Sequence, residues 1–383
     1  MSSIWGRNIQ LSIFGEAHGE YVGGTLHNFP AGVEINLDRI NLGLKLRQGS
    51  ITFAPVKRVD DRPIIISGVT RGITNGSPIT VLFANPNYQP IDNKKEPPKP
   101  SHADYVAMQR FNNAADMGGG GHLSGRLTLP IVFFGMMCAD FLAYKGIEVV
   151  SHIKSIGKVK DESFGVQIDP ILVERLNSSS FPTISQEARK LMTSLISSIY
   201  ALDDSIGGSI ETAIVGLDAG YGSPIFDNLE SNLASFFFAI PAVKAFEIGH
   251  GVDFGYSRGS EVTDSFVIDE EGKVTTNNNF NGGMNGGISN GMPIVIKTTL
   301  KPIPSIHQLQ NTLDFETNKV IDLELHREHV ASLVPRSNII MTSAAAITFF
   351  DAYLGCHGYK NTILTKEEIE AYKYKEKQKL ENQ

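Results

Sequence analysis

Residues 118–144 read GGGGHLSGRLTLPIVFFGMMCADFLAY. Four glycines, Gly118 to Gly121, lead through His122, Leu123, Ser124, Gly125 and Arg126 into an apolar segment of helix length. Thr128 suits an N-cap, Pro130 falls in the first turn where no amide donor is needed, and Lys145-Gly146 ends the helix. Its apolar part, 129–144, is interrupted by Asp140 and is short for a bilayer span, which leaves a helix of a globular domain. The glycines ahead of it let main-chain N–H groups converge, the helix start adds unpaired N–H groups, and Arg126 adds a full positive charge. Two readings of the run stay open on local grounds: a site for a phosphorylated ligand, or a glycine-rich surface loop that binds nothing.

Working outward, residues 9–14 alternate as a short strand that stops at Gly15, so Glu16-Ala17-His18-Gly19-Glu20 occupies the following turn. A second strand over 24–29 ends at Pro30-Ala31-Gly32, and 37–46 has helical spacing with Arg47 at its end. Residues 64–68 and 79–84 are β-rich. The loop 85–101 contains five prolines and delivers His102 and Asp104. Downstream, Asp204-Ser205-Ile206-Gly207-Gly208 precedes a strand over 209–215, residues 229–241 read as an apolar helix, and a second glycine-rich block, 281–291, precedes a strand over 293–300. The long apolar stretch 331–354 reads as a core helix from about Thr342. No linker or repeat is evident, so the chain is expected to form one large α+β domain, residues 1–360, followed by a charged, fraying helical tail, 361–383.

Composition narrows the class. Of 383 residues, 41% are hydrophobic and 20% charged, the balance of a folded globular protein. A net charge of −7 argues against a nonspecific nucleic-acid binder. The first residues do not read as a signal peptide, and only Cys138 and Cys356 are present, which fits a reducing compartment without a thiolate metal cage. A cytoplasmic protein is expected, with no membrane partner. No Walker-type loop or dinucleotide glycine spacing occurs. His326 and His329 are three apart, but with no third ligand in view no metal site is assigned. His18, in a turn after a strand, and His102, after the proline-rich loop, are the residue type that holds or gives a proton near neutral pH. Beside an anion-binding run they suggest acid catalysis on a phosphate ester.

Phe14-Gly15-Glu16-Ala17-His18-Gly19, Pro30-Ala31-Gly32, Ser101-His102-Ala103-Asp104-Tyr105, the run 119–128, Asp204-Ser205-Ile206-Gly207, Ala242-Val243-Lys244, Gly286-Gly287-Ile288-Ser289 and Lys301-Pro302 follow one another over most of the chain. In that order they resemble the chorismate synthase family. The resemblance implies a sandwich of helices between β layers, assembled as a homotetramer. It also implies a lyase that removes phosphate and a ring proton from 5-enolpyruvylshikimate 3-phosphate by anti-1,4 elimination, with reduced FMN supplied by a separate flavin reductase or reductant. Carried over by position, His18 matches the histidine that exchanges a proton with the flavin, His102 the one that protonates leaving phosphate, and Ser124 the catalytic serine beside the flavin. Flavin contacts fall on His122, Leu123, Ser124, Pro241, Ala242, Gly286, Lys301, Pro302, Ile303, Pro304, Ser305 and Glu328, and substrate contacts on Arg47, Arg126 and Arg336.

The chain departs from the family pattern at chemical positions. Ala17 replaces a serine beside His18, and Leu46-Arg47-Gln48-Gly49 replaces an arginine-rich turn. Thr52 replaces a further arginine, and Val330 stands where the late signature carries a proton-accepting aspartate. Two readings follow: a working lyase in which Arg58, Arg62 or Glu328 make up the lost groups, or a paralogue that keeps the fold and binds flavin or anions, or serves as an assembly subunit.

Overall fold

A computed structural model describes residues 3–49, 60–85, 88, 97–270, 272–325 and 330–381, the last three as backbone. Two five-stranded antiparallel sheets enclose a layer of helices. The first runs Ile4–Trp5, Gln10–Gly15, Tyr21–His27, Ile79–Ala84, Pro63–Ser67 in spatial order. The second runs Val243–Ile248, Ile294–Leu300, Gly208–Val215, Glu148–Ile156, Val159–Lys160. The helices are α1 (Leu37–Gln48), α2 (Asp104–Arg110), α3 (Thr128–Tyr144), α4 (Pro170–Ser178), α5 (Gln186–Tyr200), α6 (Leu229–Ala239), α7 (Val334–His357) and α8 (Lys366–Glu381). α3 packs on the first sheet, α7 on the second, and the two pack on each other, with α1 beside both. This is the expected α+β sandwich.

The layering follows from α3 itself. Apolar residues surround its whole circumference, and every residue from Thr128 to Ala143 is buried, because the sheet covers one side and α7 the other. The helix Val334–His357 and the segment Gly125–Tyr144 are long and apolar enough to cross a membrane, yet 83% and 94% of them are buried inside the protein, which makes them core helices. α7 begins well before the expected Thr342, and Ser337 and Asn338 are buried inside the helix. Asn338 Nδ2 donates to Ser151 O (3.1 Å) and Thr342 Oγ1 to Ser151 Oγ (2.8 Å), so the polar side chains fasten α7 to the second sheet.

The closest approach of the two central helices is at Gly135. A Cβ there would sit 2.2 Å from Ser343 Cβ and 2.8 Å from Ser343 O. Gly135→Ala is therefore expected to force the helices apart and destabilise the fold by about 1–3 kcal/mol, measured by denaturant unfolding. An unchanged midpoint would remove Gly135 from the packing argument.

On the outer face of the second sheet, α4 and α5 cover a charged group sealed from solvent. The His152 side chain is 0% exposed, with Nδ1 3.0 Å from Asp161 Oδ2 and Nε2 3.0 Å from Glu211 Oε2. Asp161 also accepts from the N–H groups of Ile184 (2.6 Å) and Ser185 (2.9 Å), and Glu211 from that of Phe164 (2.7 Å). The tail does not hang free. Tyr372 of α8 meets Arg39 Nη1 through its hydroxyl (3.2 Å) and packs its ring on Tyr144, and Glu368 pairs with Lys145 (2.6 Å). Arg39 in turn pairs with buried Asp140 (2.7 Å), whose carboxyl is pushed up to about 6 by burial against the pull of Arg39.

Candidate active site

Several N–H groups of the glycine run are used locally. Gly118 N–H donates to Asp116 Oδ1 (2.8 Å), Gly120 N–H to Met117 O (3.0 Å) and Ser124 N–H to Gly121 O (3.4 Å). Those three donors are spent within the turn. What the glycines provide is room. Gly119, at φ 59°, lies under the His18 ring, where a Cβ would fall 2.7 Å from Nε2. The turn 16–20 is tied to the run by Ala17 N–H donating to Gly121 O (3.1 Å), and Asn85 Nδ2 donates to Ala17 O. Gly119→Ala is expected to cost about 1 kcal/mol in the left-handed region and to displace the His18 imidazole. An unmoved His18 imidazole NMR signal would contradict this contact.

Beyond the run, Ser124 caps the short turn Gly125–Leu127 by accepting from Arg126 N–H (3.3 Å). Thr128, expected as a cap, is instead the first residue of α3. Its hydroxyl donates to Gly125 O (2.6 Å) and accepts from Arg47 Nε (2.8 Å).

Arg47, Arg126 and Arg336 come together here. Arg47, in the last turn of α1, also donates through Nη2 to Gly125 O (2.7 Å). Arg126 donates through Nη2 to Ala84 O (3.1 Å). Arg336 lies over Gly49, where a Cβ would be 2.8 Å from its Cγ, and has no acceptor among the described residues. Burial, opposed by the nearby Asp61 and reinforced by Arg126 and Arg336, lowers Arg47 to about 10. Burial likewise lowers Arg336. Cations crowded at this cost are suited to receiving an anion.

A second group assembles around His102. Its Nε2 shares a 2.7 Å hydrogen bond with Ser305 Oγ. Lys301 Nζ donates to Ser101 O (2.7 Å), and Lys301 N–H to Ala242 O (2.9 Å). Ser101 (φ 59°) and Ala242 (φ 74°) both hold left-handed backbone without being glycine, a strain that collects where function fixes geometry. Asp104 accepts from Lys99 N–H (3.0 Å) and Nζ (3.3 Å), which pins the loop ahead of α2. The 204–207 motif serves as a clamp: Ser205 Oγ donates to Ile303 O (2.6 Å) and Gly207 packs on Pro302. Gln310 Nε2 holds Pro304 O (3.0 Å).

Other expected residues are placed apart from these contacts. His122 is exposed and engages Gly15 O (2.9 Å) and Ser3 Oγ (2.8 Å), and Leu123 beside it is exposed. Pro241 is an exposed turn residue, and Gly286 lies in a turn whose next residue, Gly287, packs on Ser223 and Asn228. Thr52, Arg58, His326, Arg327, Glu328 and His329 lie outside the described residues. Arg62 is exposed and pairs with Asp60 (2.9 Å). The described residues contain no group of His, Cys, Asp and Glu suited to a metal. Asp61 was not singled out by any motif, yet it is the carboxylate between Arg47 and Arg126.

The profile of the chorismate synthase family matches residues 9–354. The chain belongs to the chorismate synthase family. It is 37% identical over 352 residues to the chorismate synthase of Pyrococcus abyssi, covering 91% of this chain and 97% of that one. The chorismate synthase of Methanobrevibacter smithii is 36% identical over 354 residues (92% and 96% covered), and that of Dehalococcoides mccartyi 34% over 357 (92% and 97%). A crystal structure of a chorismate synthase matches the fold with a TM-score of 0.75 at 24% identity, covering 97% of this chain and 98% of the other.

Proposed function

We infer that this chain is a chorismate synthase. It breaks the ring C–H bond and the C–O bond to phosphate in 5-enolpyruvylshikimate 3-phosphate, forming the new double bond of chorismate and releasing inorganic phosphate and a proton. The family assignment carries the reading, and the clustering of Arg47, Arg126 and Arg336 supports it with the receptor that a polyanionic substrate needs. The alternative of a non-catalytic paralogue is not favoured.

The arginines bind and orient the carboxylates and phosphate, a clamp that preassembles before the substrate arrives. His102, fixed through Ser305 Oγ and the pinned loop, holds at Nε2 the proton that the leaving phosphate takes. His18, packed on Gly119, is the second proton-handling group, and Ser124 braces the turn that carries Arg126. Reduced FMN, when bound, supplies electron density to the allylic system as phosphate departs. Residues that fit such a group are Ala242, Lys301, Ser305 and Gly286, the last with open space where a Cβ would be. Val330 has no atom that accepts a proton, so the family's aspartate has no counterpart at that position.

Reduced FMN is drawn from a separate reductase or reductant, and the protein works in the cytoplasm as a homotetramer. Support for assembly comes from apolar side chains left in solvent on the hairpin Phe266–Ile268/Val274–Thr276: Phe266 is 76% and Ile268 74% exposed. The deciding experiment is anaerobic incubation with reduced FMN and 5-enolpyruvylshikimate 3-phosphate, following chorismate absorbance and phosphate release. Equal yields of the two are expected. No turnover by protein that still binds flavin and substrate would overturn the reading.

A further inference from the structure

Two arginines converge on one carboxylate, with a third, Arg336, beside Arg47. Asp61 has a side chain only 3% exposed, beneath Arg47 and Arg126, which are themselves largely covered. Its Oδ1 accepts from Arg126 Nη1 (3.1 Å), its Oδ2 accepts from Gln48 Nε2 (3.2 Å), and Arg47 Nη1 lies 3.8 Å from Oδ2. It thereby joins the last turn of α1, the turn Gly125–Leu127 and the approach to the edge strand Pro63–Ser67 of the first sheet.

The charges make this contact decisive for the site. Arg126 and Arg336 both repel Arg47, and Asp61 is the group that opposes that repulsion. Asp61 also leaves donors free. Arg126 Nε is buried without a partner, and Arg336 has no acceptor among the described residues. Those N–H groups are donors that the described residues leave unpaired beside the two guanidinium groups Asp61 holds.

We propose that Asp61 is a positioning residue for substrate recognition, an internal counter-anion that holds Arg47 and Arg126 in register to receive the anionic groups of the substrate. This rests on the reading of the arginine cluster as the substrate site. Asp61 touches no reacting atom and transfers no proton; its effect passes through the two guanidinium groups.

The test uses the full chain and two variants. Asp61→Asn removes the charge at constant shape, and Asp61→Glu keeps the charge but moves it by one methylene. In Asp61→Asn, KM for the phosphorylated substrate is expected to rise at least about tenfold, with kcat held within about threefold. Inorganic phosphate at constant ionic strength, which raises the Tm of the wild type, should lose most of that effect in Asp61→Asn and keep part of it in Asp61→Glu. A lowered Tm with unchanged KM and unchanged phosphate response would overturn the proposal, because Asp61 would then only support the fold. Tighter phosphate binding in Asp61→Asn would overturn it too, since the carboxylate would be screening the site. Should Asp61→Asn not fold, Asp61→Glu decides: a raised KM at wild-type kcat supports the proposal, and an unchanged KM sinks it. A wild type that neither turns over substrate nor responds to phosphate overturns the activity reading and this inference together, whereas an active wild type with indifferent variants overturns this inference alone.

Discussion

Replacing His102 with alanine is expected to lower kcat for chorismate formation by about 10²–10⁴-fold, the usual range for a positioned proton donor. Thermal stability should stay where it is. The reason lies in how the loop is held. Lys99 and Asp104 pin it from one side, and Lys301 Nζ pins Ser101 O from the other, so none of these bonds uses the imidazole. What the substitution removes is the ring whose Nε2 stands 2.7 Å from Ser305 Oγ, and with it the proton that phosphate takes as the C–O bond breaks. Loss of the donor should be worst for the natural leaving group and mildest for one that departs without protonation. A variant with wild-type kcat would take His102 out of the mechanism.

The largest effect on stability is expected at His152. Removing the imidazole by His152→Ala leaves Asp161 and Glu211 buried without the group that lies between them, and breaking a buried ion pair from one side costs about 3–5 kcal/mol. Burial alone would depress this histidine, but hydrogen bonds to Asp161 and Glu211 outweigh it and raise its pKa above the ordinary 6.5. A histidine raised in the folded state stabilises fully below its unfolded pKa, so this contribution is complete below pH 6.5 and is lost as pH rises through the folded value. Asp161 behaves oppositely. Burial works against it, yet bonds from His152, Ser185 and Ile184 hold its carboxyl below the ordinary 3.8, so its contribution is present above pH 3.8 and is lost as pH falls through the folded value. Unfolding free energy measured against pH should therefore decline on the alkaline side in the wild type, and that decline should be absent in His152→Ala. An identical alkaline slope in the two proteins would contradict the assignment.

Much of the first sheet is legible in the sequence because its strands have one covered face and punctuating glycines. The expected strand over 79–84 coincides with Ile79–Ala84, and that over 9–14 with Gln10–Gly15 to within one residue. The strand Glu148–Ile156 is not legible in that way, since Ser151 and His152 interrupt its apolar run. Their polarity is satisfied by partners far along the chain, Thr342 and Glu211 among them. α5 is not read from the sequence, although Ser185 caps its start by accepting from Ala188 N–H (3.3 Å). At the site, motif order points to His18, His102 and the arginines. The same order says nothing of Asp61, whose importance comes from what packs around it. The glycine run is legible only in part: its composition suggests an anion site, while the need for Gly119 to make way for the His18 ring is visible only in the backbone angles and packing.

α1 carries Arg39 in its first turn and Arg47 in its last, about 12 Å apart along the axis at the helical rise. One end is gripped by α8, which lies beyond the 9–354 span shared with the family, and the other end carries the guanidinium proposed to meet the substrate. The tail thus acts as a splint on a lever whose far arm is the arginine cluster. A tag fused beyond residue 383 loads that splint directly, and trimming the chain to the family boundary takes the splint away, so kinetic constants from either form would describe a differently braced arginine.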